Sequence, residues 1–142
     1  MLLVILFGLI LLVPLRGDDQ SPDEKKAIAG SQHEMLMLLI EKGEYEQVPE
    51  ELRIILELKF EGKYEKYVTD EIVILSTQLS QKQQYELCHQ ILDMGLAALQ
   101  EKESLARLYK EKGAVYKLTG DSEKALEMFK KSVELTARQK DE

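Results

Sequence analysis

The chain has 142 residues, room for one domain or a few small repeats. It carries 19 Lys and Arg against 26 Asp and Glu, a net charge of −7, and that acid excess argues against a protein that coats DNA or RNA by neutralising phosphates. A single cysteine, Cys88, cannot close an internal disulfide or build a zinc cage, two histidines leave little for acid–base chemistry, and there is no Asn.

Met1 to Leu15 is uncharged and almost wholly apolar, interrupted only by Gly8 and Pro14. As a helix, at about 1.5 Å per residue, it would span roughly 22 Å, short of the roughly 30 Å of a bilayer core. That length suits the apolar stretch of a signal peptide. The only positive charge ahead of it is the amino terminus, and Leu15-Arg16-Gly17 offers one small residue for cleavage. An uncleaved short anchor is therefore the other reading. Residues 1–16 are expected to be a signal peptide or short membrane anchor, and residues 17–21 a linker. A packed core helix is disfavoured because the apolar side chains go all the way round. The chain is then membrane-anchored, or secreted or periplasmic, in preference to cytoplasmic. Arg16 does not set an orientation, with Asp18 and Asp19 beside it.

Ser21-Pro22-Asp23-Glu24 predicts a helix start: Ser21 as cap, Pro22 where its missing N–H costs nothing, and Glu24 closing a capping box. Turn signals then recur at Lys42-Gly43, Glu61-Gly62, Gln81 to Gln84, Gln100 to Ser104 and Thr119-Gly120-Asp121, cutting the chain into six helical segments with short connections. Each segment carries apolar residues at spacings of three and four. The stripes are Ile28, Met35, Leu36, Leu38 and Leu39; Leu52, Ile55, Leu56 and Leu58; Val68, Ile72, Leu75 and Leu79; Leu87, Ile91, Leu92, Leu96 and Leu99; Leu105, Leu108, Val115 and Leu118; and Ala125, Leu126, Phe129 and Val133. Pro49 is harmless if the second helix starts near Tyr45 to Val48.

One pattern recurs. Gly43-Glu44-Tyr45 precedes Val48, Leu52 and Ile55; Gln83-Gln84-Tyr85 precedes Cys88, Leu92 and Gly95; Gly120-Asp121-Ser122 precedes Ala125, Phe129 and Ser132. The internal offsets are identical and the copies lie 40 and 37 residues apart, the mark of stacked helix pairs. From Ala106 to Ala137 the chain resembles the tetratricopeptide repeat family. Tyr109 stands at the family's Trp position, followed by Gly113, Tyr116, Gly120, Ala125 and Phe129, with Ser132 as the late small residue. Lys112 replaces the usual Leu, and Ala137 stands where a closing Pro is common. The two upstream pairs match loosely. The resemblance implies an all-α fold of three antiparallel helix pairs, 22–61, 62–101 and 102–140, stacked as a short right-handed α-solenoid behind the apolar N-terminal segment.

Little in the sequence points to catalysis or to a cofactor. His33-Glu34 opens the zinc-protease pattern, but Met37 stands at the second ligand position, so no metal is expected. Cys88 and His89 are adjacent on a helix and point about 100° apart. Cys88 falls at the small, helix-contact position of its repeat and is expected to be buried. Acids and lysines interleave from Glu123 to Glu134 as on a solvated face.

The resemblance supplies a site: the first helix of each pair would line a concave face that holds a partner's peptide. Carried over by position, that face is His33, Met37 and Ile40, then Val73, Thr77 and Ser80, then Arg107, Lys110, Ala114 and Lys117. The last set is basic in an acidic chain and suits a carboxylate or acidic stretch. Family members that clamp the tails of heat-shock chaperones use Asn side chains that this sequence lacks, which disfavours that role. Phe60, Tyr64 and Tyr67 form an aromatic cluster between the second and third helices, expected to pack that corner or otherwise to anchor a partner. No polar capping helix follows the sixth, so its outer face is expected to stay open or meet another subunit.

The expected function is a non-catalytic interaction module binding a protein or peptide, not nucleic acid, and held at a membrane through residues 1–15 if these are uncleaved. A structural subunit that self-associates through its end faces is the alternative, and a cytosolic regulator of the same fold a third reading.

Overall fold

A computed structural model describes residues 20–137. The expected leader, residues 1–16, lies outside them, so nothing in the fold bears on it. The described residues form six α-helices and no strand: α1 Pro22–Lys42, α2 Val48–Glu57, α3 Glu65–Gln81, α4 Tyr85–Ala98, α5 Lys102–Leu118 and α6 Ser122–Ala137. Short 3-10 turns, Tyr45–Gln47 and Gly62–Tyr64, lead into α2 and α3.

The punctuation of the sequence sets these boundaries. The capping box at Ser21 is complete: Glu24 N–H donates to Ser21 Oγ at 3.3 Å, and Ser21 N–H donates to Glu24 Oε2 at 2.9 Å. Gly43 and Gly120 close α1 and α5 in the left-handed region, at φ 76° and 81°, where a Cβ would be strained. Pro49 sits in the first turn of α2, where no intrahelical acceptor is lost.

Within each pair the helices pack on one another, α1 on α2, α3 on α4 and α5 on α6. Across pairs, α1 touches α3, α2 touches α4, and α5 rests on both α3 and α4, whereas α6 packs on α5 and makes only marginal contact elsewhere. One apolar core runs from Leu36, Leu39 and Ile40 through Val48, Leu52 and Ile55 to Ile72, Leu75, Leu79, Ile91, Leu92, Leu108 and Val115. Two glycines permit the tightest crossings. A Cβ on Gly95 would lie 2.6 Å from Ile72 Cδ1 and 2.8 Å from Leu108 Cδ1, and one on Gly113 would lie 2.8 Å from the Phe129 ring.

Not every expected stripe residue is buried. Met35 and Leu38 of α1 are 46% and 54% exposed, and Leu118, Leu126 and Val133 at the other end are 63%, 55% and 66% exposed. The reason is positional: Leu36, Leu39 and Ile40 supply the inner face of α1, and among the described residues α6 packs mainly on α5.

Polar side chains also tie the pairs together. The buried Glu65 carboxylate accepts from Gln100 N–H at 2.9 Å and Glu101 N–H at 2.8 Å, anchoring the turn before α5 to the start of α3. Gln32, also buried, donates to the Glu51 carbonyl oxygen at 3.2 Å, joining α1 to α2. Glu65→Ala strands those backbone donors, and we expect it to lose about 1–3 kcal/mol in urea unfolding. Gly95→Val forces a branched side chain into the α3–α4–α5 crossing and is expected to lose a similar amount, about 1–3 kcal/mol, in the same measurement.

Candidate functional site

The ten residues assigned to a concave face separate into several environments. Five come together. Val73 of α3, Arg107, Lys110, Ala114 and Lys117 of α5, with Glu111, Leu118 and Phe129, line an open groove of about 750 Å³ between α3, α5 and α6. Its walls are mainly apolar, from Val73, Ala114, Leu118 and Phe129. Ala114 lies midway between Lys110 and Lys117, leaving a shallow floor between two ammonium groups set seven residues, about 10 Å, apart along the helix.

The charges there divide into engaged and free. Arg107 pairs with Asp70 of α3. Glu111 accepts from Ser76 Oγ at 3.1 Å. Lys110 and Lys117 are exposed and pair with no described residue. Arg107 therefore spends its charge on the α3–α5 junction, and the pair that remains to meet an anion is Lys110 and Lys117. Sequence position gives all three the same role; the partner across the junction tells them apart.

The other five lie elsewhere. His33 faces a separate cleft of about 450 Å³ between α1 and α3, lined also by Lys26, Gly30, Phe60, Tyr67 and Glu71. Its Nδ1 stands 2.8 Å from Glu71 Oε2, linking α1 to α3. Ile40 is 2% exposed and belongs to the core, so its assignment to a partner surface is corrected: the left-handed turn at Gly43 folds the chain back and packs Ile40 inside. Met37 is half-buried against the same core. Thr77 is exposed, with its hydroxyl donating to the Val73 carbonyl oxygen at 2.9 Å. Ser80 Oγ stands 3.3 Å from Cys88 Sγ and serves the α3–α4 interface.

Cys88 is buried, and burial pushes its thiol above the ordinary value, which disfavours the thiolate that a nucleophile needs. His89 packs against Tyr116 in a tilted contact with ring centroids 4.1 Å apart, and burial together with Lys112 lowers its pKa. Phe60, Tyr64 and Tyr67 pack the α2–α3 corner in tilted and stacked contacts, and Lys26 of α1 lies 4.6 Å from the Tyr67 ring centroid. Among the described residues no group of three or more His, Cys, Asp or Glu is placed to hold a metal ion. Nor is any described helix long and apolar enough to cross a membrane.

These features define an all-α fold for the described residues, with one groove, between α3, α5 and α6, that carries two lysines without a described partner. Compared with family models, curated proteins and solved structures, the chain gives no match.

The His33–Glu71 contact has a pH consequence. Burial raises the Glu71 carboxyl above 4.5, with His33 offsetting part of the shift. Between 4.5 and the raised value the folded chain keeps a proton that the unfolded chain has lost, so the Glu71 contribution to stability falls as pH rises through that window. Glu71→Gln removes this titration. We expect its urea midpoint, relative to the unchanged chain, to climb as pH is raised from below 4.5 to neutrality; a difference independent of pH would contradict the assignment.

Proposed function

We propose that the chain is a non-catalytic protein–protein interaction module, three helix pairs stacked as a short right-handed solenoid of the tetratricopeptide kind. Residues 1–16 hold it at a membrane or direct its export. Its binding face is the groove between α3, α5 and α6, and the partner is a protein segment bearing acids and apolar side chains. The observation that carries this reading is the groove's composition: apolar walls from Val73, Ala114, Leu118 and Phe129, with Lys110 and Lys117 free at its edge. Apolar burial supplies affinity and the lysines supply register and orientation. The pairing of α1 with α2, α3 with α4 and α5 with α6, together with the motif repeated 40 and 37 residues apart, supports the solenoid.

The exposed apolar residues at the two ends, Met35 and Leu38 on α1 and Leu118, Leu126 and Val133 on α5 and α6, favour a second reading as a structural subunit that assembles through its end faces.

The test uses the full chain in mild detergent and a synthetic acidic amphipathic helical peptide with two Glu seven residues apart, followed by fluorescence anisotropy. Lys110→Glu with Lys117→Glu is expected to weaken capture by about tenfold or more, with unchanged helical circular dichroism. Equal binding by the variant would exclude the groove.

A further inference from the structure

The two exposed ends of the chain complement each other. We infer that the α5–α6 face receives α1 of a second copy of this chain, so that copies stack head to tail in the manner in which α5 already sits on α4. The inference rests on reading the α3–α5–α6 groove as a binding face, and it names the occupant.

The repeat supplies the register. Gly43 and Gly120 close α1 and α5 with the same left-handed turn and lie 77 residues apart. At that offset Ser31, Glu34, Met35 and Leu38 of α1 correspond to Leu108, Glu111, Lys112 and Val115 of α5. Those α5 residues face the preceding pair. Leu108 meets α4 at Gly95, Lys112 pairs with Asp93 of α4, Val115 is buried, and Glu111 accepts from Ser76 of α3. On α1, Met35 and Leu38 are exposed with no described element seated on them, and Glu34, at the edge of the α1–α3 cleft, pairs with no described residue.

The receiving face repeats as well. Cys88 and Ala125 are both buried and lie 37 residues apart. At that offset His89, Gly95 and Leu96 of α4 correspond to Leu126, Ser132 and Val133 of α6. His89 packs against Tyr116 of α5 and Gly95 receives Leu108, so this is the side of α4 that α5 covers. On α6 its counterparts Leu126 and Val133 are left open to solvent.

Charge supports the match. On α1, Glu34 and Glu41 are exposed, seven residues apart and unpaired with any described residue, with Glu34 at the mouth of the α1–α3 cleft. The groove presents Lys110 and Lys117, also seven apart and also unpaired. Both spacings are two helical turns, about 10 Å, so the two pairs align when α1 lies along α5. Glu34 corresponds to Glu111, which faces α3 across the α3–α5 junction, so on a second copy Glu34 faces α5 of the first. The acids meet the lysines while Met35 and Leu38 cover Leu118, Leu126 and Val133. Each copy keeps one face of each kind free, so the assembly is heterologous and grows unless it closes into a ring.

The test is sedimentation velocity of the full chain in mild detergent over a range of concentrations. The unchanged chain is expected to gain mass beyond a dimer as concentration rises. Lys110→Glu/Lys117→Glu and Glu34→Lys/Glu41→Lys are each expected to sediment as protomers, with association weakened by about tenfold or more. An equimolar mixture of the two restores complementary faces and is expected to recover the assembly, as is the fourfold variant. Undiminished assembly by either double variant, or no recovery on mixing, overturns the proposal; recovery on mixing also shows that neither variant is merely misfolded. A chain that stays a protomer at every concentration yet binds the acidic peptide through Lys110 and Lys117 overturns the second copy as occupant and leaves the groove reading standing. Assembly that follows the charge exchange without capture of the acidic peptide supports the second copy and sinks the foreign partner.

Discussion

Where α4 crosses α3 and α5 there is no room for a methyl group: a Cβ on Gly95 would stand under 3 Å from both Ile72 Cδ1 and Leu108 Cδ1. This close approach holds the second and third pairs in register. It lets Ile72, Ile91, Leu92 and Leu108 bury completely around one point, and it brings α5 down onto α4 so that α3 can reach α5 on the other side. The groove depends on it, because Val73 faces Ala114 and Lys117 only once α3 and α5 are drawn together. A glycine inside a helix costs about 1 kcal/mol of helix propensity relative to alanine, and here that cost is set against burial of several large side chains.

Around this crossing the polar contacts select one arrangement more than they supply bulk stability. Arg107 with Asp70 is partly exposed and worth about 1 kcal/mol at most. Its larger consequence is to leave Lys110 and Lys117 as the groove's free cations. Glu65 is more consequential because it is buried and satisfies two part-buried backbone donors at the α4–α5 turn. His33 and Glu71 join α1 to α3 through a pair whose ionised carboxylate is disfavoured by burial, so that junction is pH-sensitive.

Function follows from what the fold leaves uncovered. Under the proposed stacking of helix pairs, the described residues leave an uncovered face at each end, and both carry large apolar residues. Scattered exposed apolar residues are ordinary on protein surfaces, and Ile54 and Ile74 are of that kind. Met35 and Leu38 of α1 and Leu126 and Val133 of α6 differ because they fall at positions equivalent to buried or partly covered ones elsewhere in the chain. Surfaces that repeat a covered surface, with opposite charges at matched spacing, are already shaped for one another.

The sequence by itself determined the six helices and most of their ends, because caps, Gly turns and apolar periodicity act through a few neighbouring residues. Ser21 with Glu24, Gly43 and Gly120 are readable in this way. The buried state of Cys88 and the packing of Phe60, Tyr64 and Tyr67 were also legible, from repeat position and composition. Only the tertiary structure decided the rest. Ile40 went to the core and Met35 and Leu38 to the surface, although all share one helix and one chemistry, because among the described residues α1 is packed mainly on one side. His33 parted from the groove to pair with Glu71, and Arg107 parted from Lys110 and Lys117 to pair with Asp70. Periodicity marks which residues can share a helical face, but whether that face meets another helix or water depends on contacts between residues tens of positions apart.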